Sequence, residues 1–153
     1  MFLEKHYQNA YVTSDIDRAV DLIQREHGLT GEVQRIEVTN QIWTPDGEGA
    51  STLKLAFIWK GRLQYELIEP VSGLVGLYQD AVPRDRLLQF HHVAMRADDW
   101  DGLLTDIGRQ NKKIAMKGEA GPIKYLYVDA RDTLGHYLEY VSGPAEFWAS
   151  FPQ

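Results

Sequence analysis

Glu66 in LQYELIE and Glu139 in HYLEYVS each lie between apolar neighbours, in stretches that read as strands. Alternation along a strand puts Gln64, Glu66 and Ile68 on one face, and Tyr137, Glu139 and Val141 on one face. The apolar members of these sets imply that both faces are substantially covered. A carboxylate there costs several kcal/mol unless it has a partner, so it is either solvated at an open groove or bound to a cation. His92 in FHHVAMR and Gln8 in HYQNAYV are two further residues able to bind a metal. Imidazole plus oxygen ligands suit Zn, Fe, Mn, Ni or Co without deciding among them. Gln8, Glu66, His92 and Glu139 with a divalent ion would make a site of formal charge near zero, with one or two positions left for water or substrate.

Taken singly, each of these residues has an ordinary structural reading. His92 could be a hydrogen-bonded core histidine, the two glutamates could be rim carboxylates, and Gln8 alone would pass unnoticed. Their joint placement carries the argument. His91 should point to the opposite strand face from His92, so that only one of the pair serves the site. His6 shares the phase of Gln8 and is a reserve ligand or a neighbour of one.

The elements that must position these residues occur in an order that repeats. HYQNAYV (6–12) is a strand. The helix after it has Ser14 or Asp15 as N-cap, apolar residues Ile16, Ala19, Val20 and Ile23 at helical spacing, and Gly28 as its stop. Three strand-like runs follow, EVQRIEVTNQIW, TLKLAFIWK and LQYELIE, the last two forming a hairpin through the KGR turn. After a connection from about Pro70 to Leu88, FHHVAMR begins the order again. A helix capped by Asp98 or Asp99 then places Trp100, Leu103, Leu104 and Ile107 on one face, and KKIAMKG, IKYLYVDA and HYLEYVS supply three strands. Laying Gln8 on His92 puts Asp15 on Asp99 and Ile23 on Ile107, and Glu66 falls on Glu139. Each half therefore offers a metal-capable side chain in its first strand and a carboxylate in its last.

Composition narrows the function classes. The 153 residues include 44% apolar and 25% charged side chains, ordinary for a globular chain. No stretch approaches the roughly 20 apolar residues of a membrane span. A net charge of −6 with interspersed signs argues against nucleic acid as a partner. Cysteine is absent, which excludes disulfides, thiolate catalysis and thiolate-bound metals. The N-terminus shows no secretory pattern, and a cytoplasmic location is the plain expectation.

In this order, YQNAYVTSDIDRAVDLIQREHGL, LQYELIEP, FHHVAMRADDWD and YLYVDARDTLGHYLEYV resemble the vicinal oxygen chelate superfamily. That group contains glyoxalase I, methylmalonyl-CoA epimerase, extradiol dioxygenases and bleomycin or fosfomycin resistance proteins. The resemblance implies an α+β fold of two βαβββ modules whose curved mixed sheets form one cup-shaped cavity. Module one would span about 5–70, a linker about 70–88, module two about 89–143 and a C-terminal tail 144–153. It also implies metal ligands in the first and last strands of each module, here Gln8, Glu66, His92 and Glu139, a set similar to those of glyoxalase I and the epimerases.

The implied activity is that of a metal-dependent isomerase, epimerase or lyase on a small carbonyl-containing substrate, through an enolate or enediolate stabilised by a divalent metal. Glu139 is the first choice of catalytic base and Glu66 the second. Tyr65, Tyr127 and Arg131 are candidate substrate-binding residues. Tyr65 and Tyr127 belong to a strand-borne aromatic set with Tyr125, Tyr137, Trp43, Trp59 and Phe57, which is equally compatible with plain core. Arg131 could hold a substrate carboxylate or stand exposed in its turn. Two alternatives remain open: a metal-free small-molecule binding protein of the resistance type, and an Fe(II)-dependent dioxygenase, against which the single histidine counts. The aromatic tail GPAEFWASFPQ would cover a core gap or a partner subunit, and a homodimer is expected.

Overall fold

The computed structural model describes residues 4–153. Strand β1 (His6–Val12), helix α1 (Ile16–His27) and strands β2 (Val33–Thr44), β3 (Gly47–Lys60) and β4 (Leu63–Gly73) form the first half. A short helix α2 (Gly76–Gln79) lies in the connection. Strand β5 (Gln89–Arg96), helix α3 (Trp100–Arg109) and strands β6 (Ile114–Ala120), β7 (Ile123–Ala130) and β8 (His136–Ser142) repeat the order, before a terminal helix α4 (Ala145–Ala149). Among the described residues no helix is long and apolar enough to cross a membrane.

The eight strands form one mixed sheet in the order β1-β4-β3-β2-β6-β7-β8-β5, closed by pairing of β5 with β1. Pairs β1–β4 and β5–β8 are parallel and the rest antiparallel. The cup becomes a barrel at a short junction, where Ile42 pairs with Gly118 and Trp43 with Lys117. The Lys117 ammonium covers the Trp43 ring at 4.6 Å. Gly118 is required there, because a Cβ would fall 2.3 Å from the Tyr125 ring.

Strand alternation sorts side chains between the barrel interior and the helix layer outside. Ala10, Val12, Ile42, Leu55, Ile68, Met116, Tyr127 and Tyr137 pack inside. Outside, α1 buries Ile16, Ala19, Val20 and Ile23 against Ala56, Ile58 and Leu67, while α3 buries Leu103 and Ile107 against Leu126, Val128 and Leu138. Leu104, expected on that face, is instead exposed, because α3 contacts the sheet through a narrower stripe than α1. The caps are Asp15, whose carboxylate accepts from the Arg18 amide at 3.1 Å, and Asp99, which accepts from Gly102 at 3.0 Å. Gly28 ends α1 in the left-handed region, at φ 72°.

The connection after Pro70 is more than a spacer. Strand β4 continues to Gly73, and α2 drives Tyr78 into the interior cluster with Leu77, Ala81 and Val82 around it. This closes one end of the barrel. At the other end Trp148 packs edge-on against Tyr7 at 5.3 Å, and Phe151 packs on Trp59 at 5.0 Å. The aromatic tail thus covers its own chain's barrel.

Candidate metal centre

The two halves place their special residues at equivalent register positions. Ala10, two residues after Gln8, pairs with Glu66; Ala94, two residues after His92, pairs with Glu139. Because β1 and β5 are neighbours at the seam, all four side chains converge inside the barrel. His92 Nε2 faces Glu139 Oε2 at 3.1 Å, Gln8 Oε1 at 3.3 Å and Glu66 Oε2 at 3.6 Å. One ligand atom each from Glu66, His92 and Glu139 lies within 4.8 Å of the others. His92 is fully buried, and Gln8, Glu66 and Glu139 are 5, 7 and 8% exposed. Gln8 is held by its own amide, whose nitrogen donates to Gln64 Oε1 at 2.7 Å and so turns the Gln8 oxygen toward His92.

This donor set fits a divalent ion. Three oxygens and one imidazole nitrogen converge from four strands, two of the groups are carboxyls, and among the described residues no lysine or arginine is paired with either of them. Burying such a group of acceptors is costly without a cation or shared protons. In the metal-free protein the protons take that role. Burial pushes Glu66 well above the ordinary carboxyl value, and the Glu139 charge pushes it further. Burial also raises Glu139, to about 8, although a hydrogen bond from the Tyr127 hydroxyl pulls it partly back. His92 is driven down to about 3 by burial, with a smaller contribution from His136.

A chain of hydroxyls extends from Glu139 to the connection: Tyr78 donates to the Tyr127 hydroxyl at 3.0 Å, and Tyr127 donates to Glu139. Burial raises both phenols, so both remain protonated donors. The Tyr127 ring stands edge-on to His92, 4.9 Å between centroids.

Two expectations from strict alternation are corrected at the β1–β5 seam. The ladder pairs Ala10 with His92 and Tyr11 with Phe90, leaving His91 in a bulge. His91 is consequently not on the outer face but buried inside, 2% exposed, its ring between Tyr78 at 5.1 Å and Tyr137 at 5.0 Å. Its Nδ1 lies 2.8 Å from His92 Nδ1, and its Nε2 lies 2.9 Å from the Leu77 carbonyl. A second register shift between His6 and Gln8 skips Tyr7, the repeat equivalent of His91. His6 therefore leaves the phase of Gln8, and its exposed ring bonds to the Gln8 carbonyl and Asn9 instead.

The aromatic candidates separate by strand face. Tyr127, Tyr125, Tyr137 and Phe57 belong to the interior cluster. Tyr65 does not reach the centre: as the neighbour of inward Glu66 it points outward and packs beneath α1. Arg131 stands at the rim, paired with Asp129 at 2.7 Å and stacked over Tyr137 at 4.8 Å. It lines a cleft of about 280 Å³ with His91 and His136, and a second of about 340 Å³ with Ile42 and Met116. Gln64, Tyr78 and His91 are contacts of the centre that the sequence reading did not assign. For Gln64 the signal was available, since it shares the face of Glu66; Tyr78 carries no local signal.

The fold places the chain among solved structures. A methylmalonyl-CoA epimerase from Mycobacterium tuberculosis superposes with a TM-score of 0.60 at 16% identity, over 95% of this chain and 92% of that one. A Streptomyces coelicolor methylmalonyl-CoA epimerase variant in complex with 2-nitronate-propionyl-CoA gives 0.65 at 17% identity, over 92% and 95%. A hypothetical protein from Bacillus halodurans C-125 gives 0.63 at 15% identity, over 92% and 94%. No curated protein matches the sequence. The profile of the Glyoxalase/Bleomycin resistance protein/Dioxygenase superfamily matches residues 7–127, most of the chain and both halves of its repeat. The chain belongs to this superfamily.

Proposed function

We propose that this protein is a metal-dependent epimerase or isomerase that moves a proton at the carbon beside a carbonyl group, with an acyl thioester as the favoured substrate class. The carrying observation is that Glu66 and Glu139 approach the same histidine nitrogen from strands on opposite sides of the β1–β5 seam. Gln8, Glu66, His92 and Glu139 would hold the ion. When bound, a divalent ion supplies Lewis-acid stabilisation of the charge that develops on the carbonyl oxygen.

The remaining work falls to the chain itself. A carbon seated over the seam presents one face to each glutamate. Glu139, freed when substrate takes its place as a ligand, would remove the proton as a carboxylate oriented by the Tyr127 hydroxyl. Glu66, entering the cycle protonated, would give its proton to the opposite face, and the proton left on Glu139 would return to solvent as Glu66 regains one. The interior aromatic wall excludes water from the carbanionic carbon. Arg131 at the rim offers a guanidinium to an anionic group of the substrate, in exchange for its present pairing with Asp129. The thioester class comes from the structural neighbours, which include an epimerase in complex with methylmalonyl-CoA.

The test combines metal analysis with isotope exchange. Protein purified without a histidine tag should hold close to one equivalent of a transition metal, and His92→Ala should hold none. Loaded protein incubated in D2O with acyl thioesters that carry an acidic α-hydrogen should exchange that hydrogen, detected by NMR. Failure of wild type to bind any of Zn, Fe, Mn, Ni or Co after reconstitution would overturn the reading.

A further inference from the structure

We infer that His91, held by the Leu77 carbonyl of the connecting segment, is a positioning residue that fixes the tautomer of His92 and turns its Nε2 lone pair into the centre. The Leu77 carbonyl can accept a hydrogen bond but cannot donate one. The Leu77 carbonyl oxygen lies 2.9 Å from His91 Nε2, so that nitrogen carries a hydrogen. His91 is buried between the Tyr78 and Tyr137 rings and, among the described residues, is paired with no carboxylate, so the ring is neutral and its Nδ1 is bare. That bare nitrogen lies 2.8 Å from His92 Nδ1, which must therefore donate. A neutral His92 with hydrogen on Nδ1 has its lone pair on Nε2, the atom facing Gln8, Glu66 and Glu139.

The opposite assignment fails at each step. Hydrogen on His92 Nε2 would leave Nδ1 bare, require His91 Nδ1 to donate, and set a bare His91 Nε2 against the Leu77 oxygen. Turning either ring over would put a carbon into the 2.8 Å contact. Both rings are also held mechanically, His91 by its aromatic sandwich and His92 by Tyr127.

The relay begins outside both repeats. Leu77 belongs to α2, and its neighbour Tyr78 supplies the hydroxyl chain to Glu139. Two adjacent residues of the connection thereby orient the histidine through one path and a carboxyl through another. The consequence for ion binding rests on the metal reading given above; the tautomer itself does not.

The experiment has two arms. In metal-free, 15N-labelled wild type, a long-range 1H–15N spectrum should show His92 with hydrogen on Nδ1 and His91 with hydrogen on Nε2. A His92 ring with hydrogen on Nε2 overturns the inference. In the second arm, Zn affinity is measured by chelator competition for wild type, His91→Phe and His91→Asn. Phenylalanine keeps the ring sandwich but makes neither hydrogen bond, and should weaken Zn binding roughly 10- to 100-fold. Asparagine, with an amide oxygen where Nδ1 stood, should recover most of the loss. Equal affinity in all three proteins overturns the positioning role while leaving the metal site standing. Wild type that binds none of Zn, Fe, Mn, Ni or Co overturns the metal reading, and the spectrum of the metal-free protein still decides the tautomer. Should His91→Phe fail to fold, His91→Asn and the wild-type spectrum suffice.

Discussion

Glu139 Oε2 lies 3.1 Å from His92 Nε2, and its carboxyl receives the hydroxyl of Tyr127 on the other side. Glu66 approaches the same nitrogen at 3.6 Å from the other half of the repeat, and what raises it besides burial is the charge of Glu139. The two carboxyls are thus equivalent in register and different in environment.

That difference predicts unequal variants. Glu139→Gln should abolish epimerisation and exchange of the hydrogen that faces Glu139, while Glu66→Gln should slow return to the opposite face and leave exchange on the starting face. Because the amide removes a buried ionisable group, the metal-free Glu139→Gln protein should be at least as stable as wild type near neutral pH. Chiral analysis of the product beside deuterium uptake separates the two effects.

Metal-free stability should pass through a maximum in mildly acidic solution. His91 and His92 sit at about 3 in the folded chain against an ordinary 6.5, so their contribution is lost as pH falls from 6.5 toward 3. Glu66 and Glu139 are raised above 4.5, so their contribution is full below 4.5 and is lost as pH rises toward the folded values, about 8 for Glu139. The slopes oppose one another between 4.5 and 6.5, and above 6.5 only the carboxyl contribution still changes. Denaturant midpoints across this range should rise, level off and fall. With metal bound the upper limb should turn upward, because the ligands must be deprotonated to bind it.

At the barrel junction, Gly118→Ala should be costly and Gly108→Ala should not. A Cβ at Gly118 would meet the Tyr125 ring at 2.3 Å, whereas at Gly108, in α3, it meets nothing within 4 Å. The first should destabilise by about 1–3 kcal/mol through overpacking. The second should stabilise by up to about 1 kcal/mol through helix propensity. Urea unfolding of both variants checks the pair.

Tyr78 supports the closed end of the barrel in two separable ways. Tyr78→Phe removes only the 3.0 Å hydrogen bond to Tyr127 and should cost about 1 kcal/mol. Tyr78→Ala also empties its buried site and should cost about 3–5 kcal/mol, the range for buried aromatic truncations. Equal losses in equilibrium unfolding would contradict this division.

Much of the architecture is local in origin and therefore readable from the chain. Helices α1 and α3 announce themselves through Asp15, Asp99, Gly28 and their apolar spacing. The positions of Gln8, Glu66, His92 and Glu139 follow from strand alternation together with the repeat, because side-chain direction in a regular strand depends only on counting by two. Tyr65 could be misassigned on the same basis, since its direction was set by Glu66 beside it and not by its aromatic character.

The amino-acid order by itself determined the two βαβββ halves, the inward direction of the four converging side chains and the exclusion of thiolate chemistry. Tertiary structure alone decided that His91 and Tyr7 fall in bulges, that Tyr78 enters the barrel, and that the tail covers its opposite end. A bulge is a property of two strands paired in a particular register, and β1 and β5 are about eighty residues apart in the chain. Burial of Tyr78 likewise depends on a space that exists only once eight strands have closed around it, so no pattern within LVGLYQD could carry it.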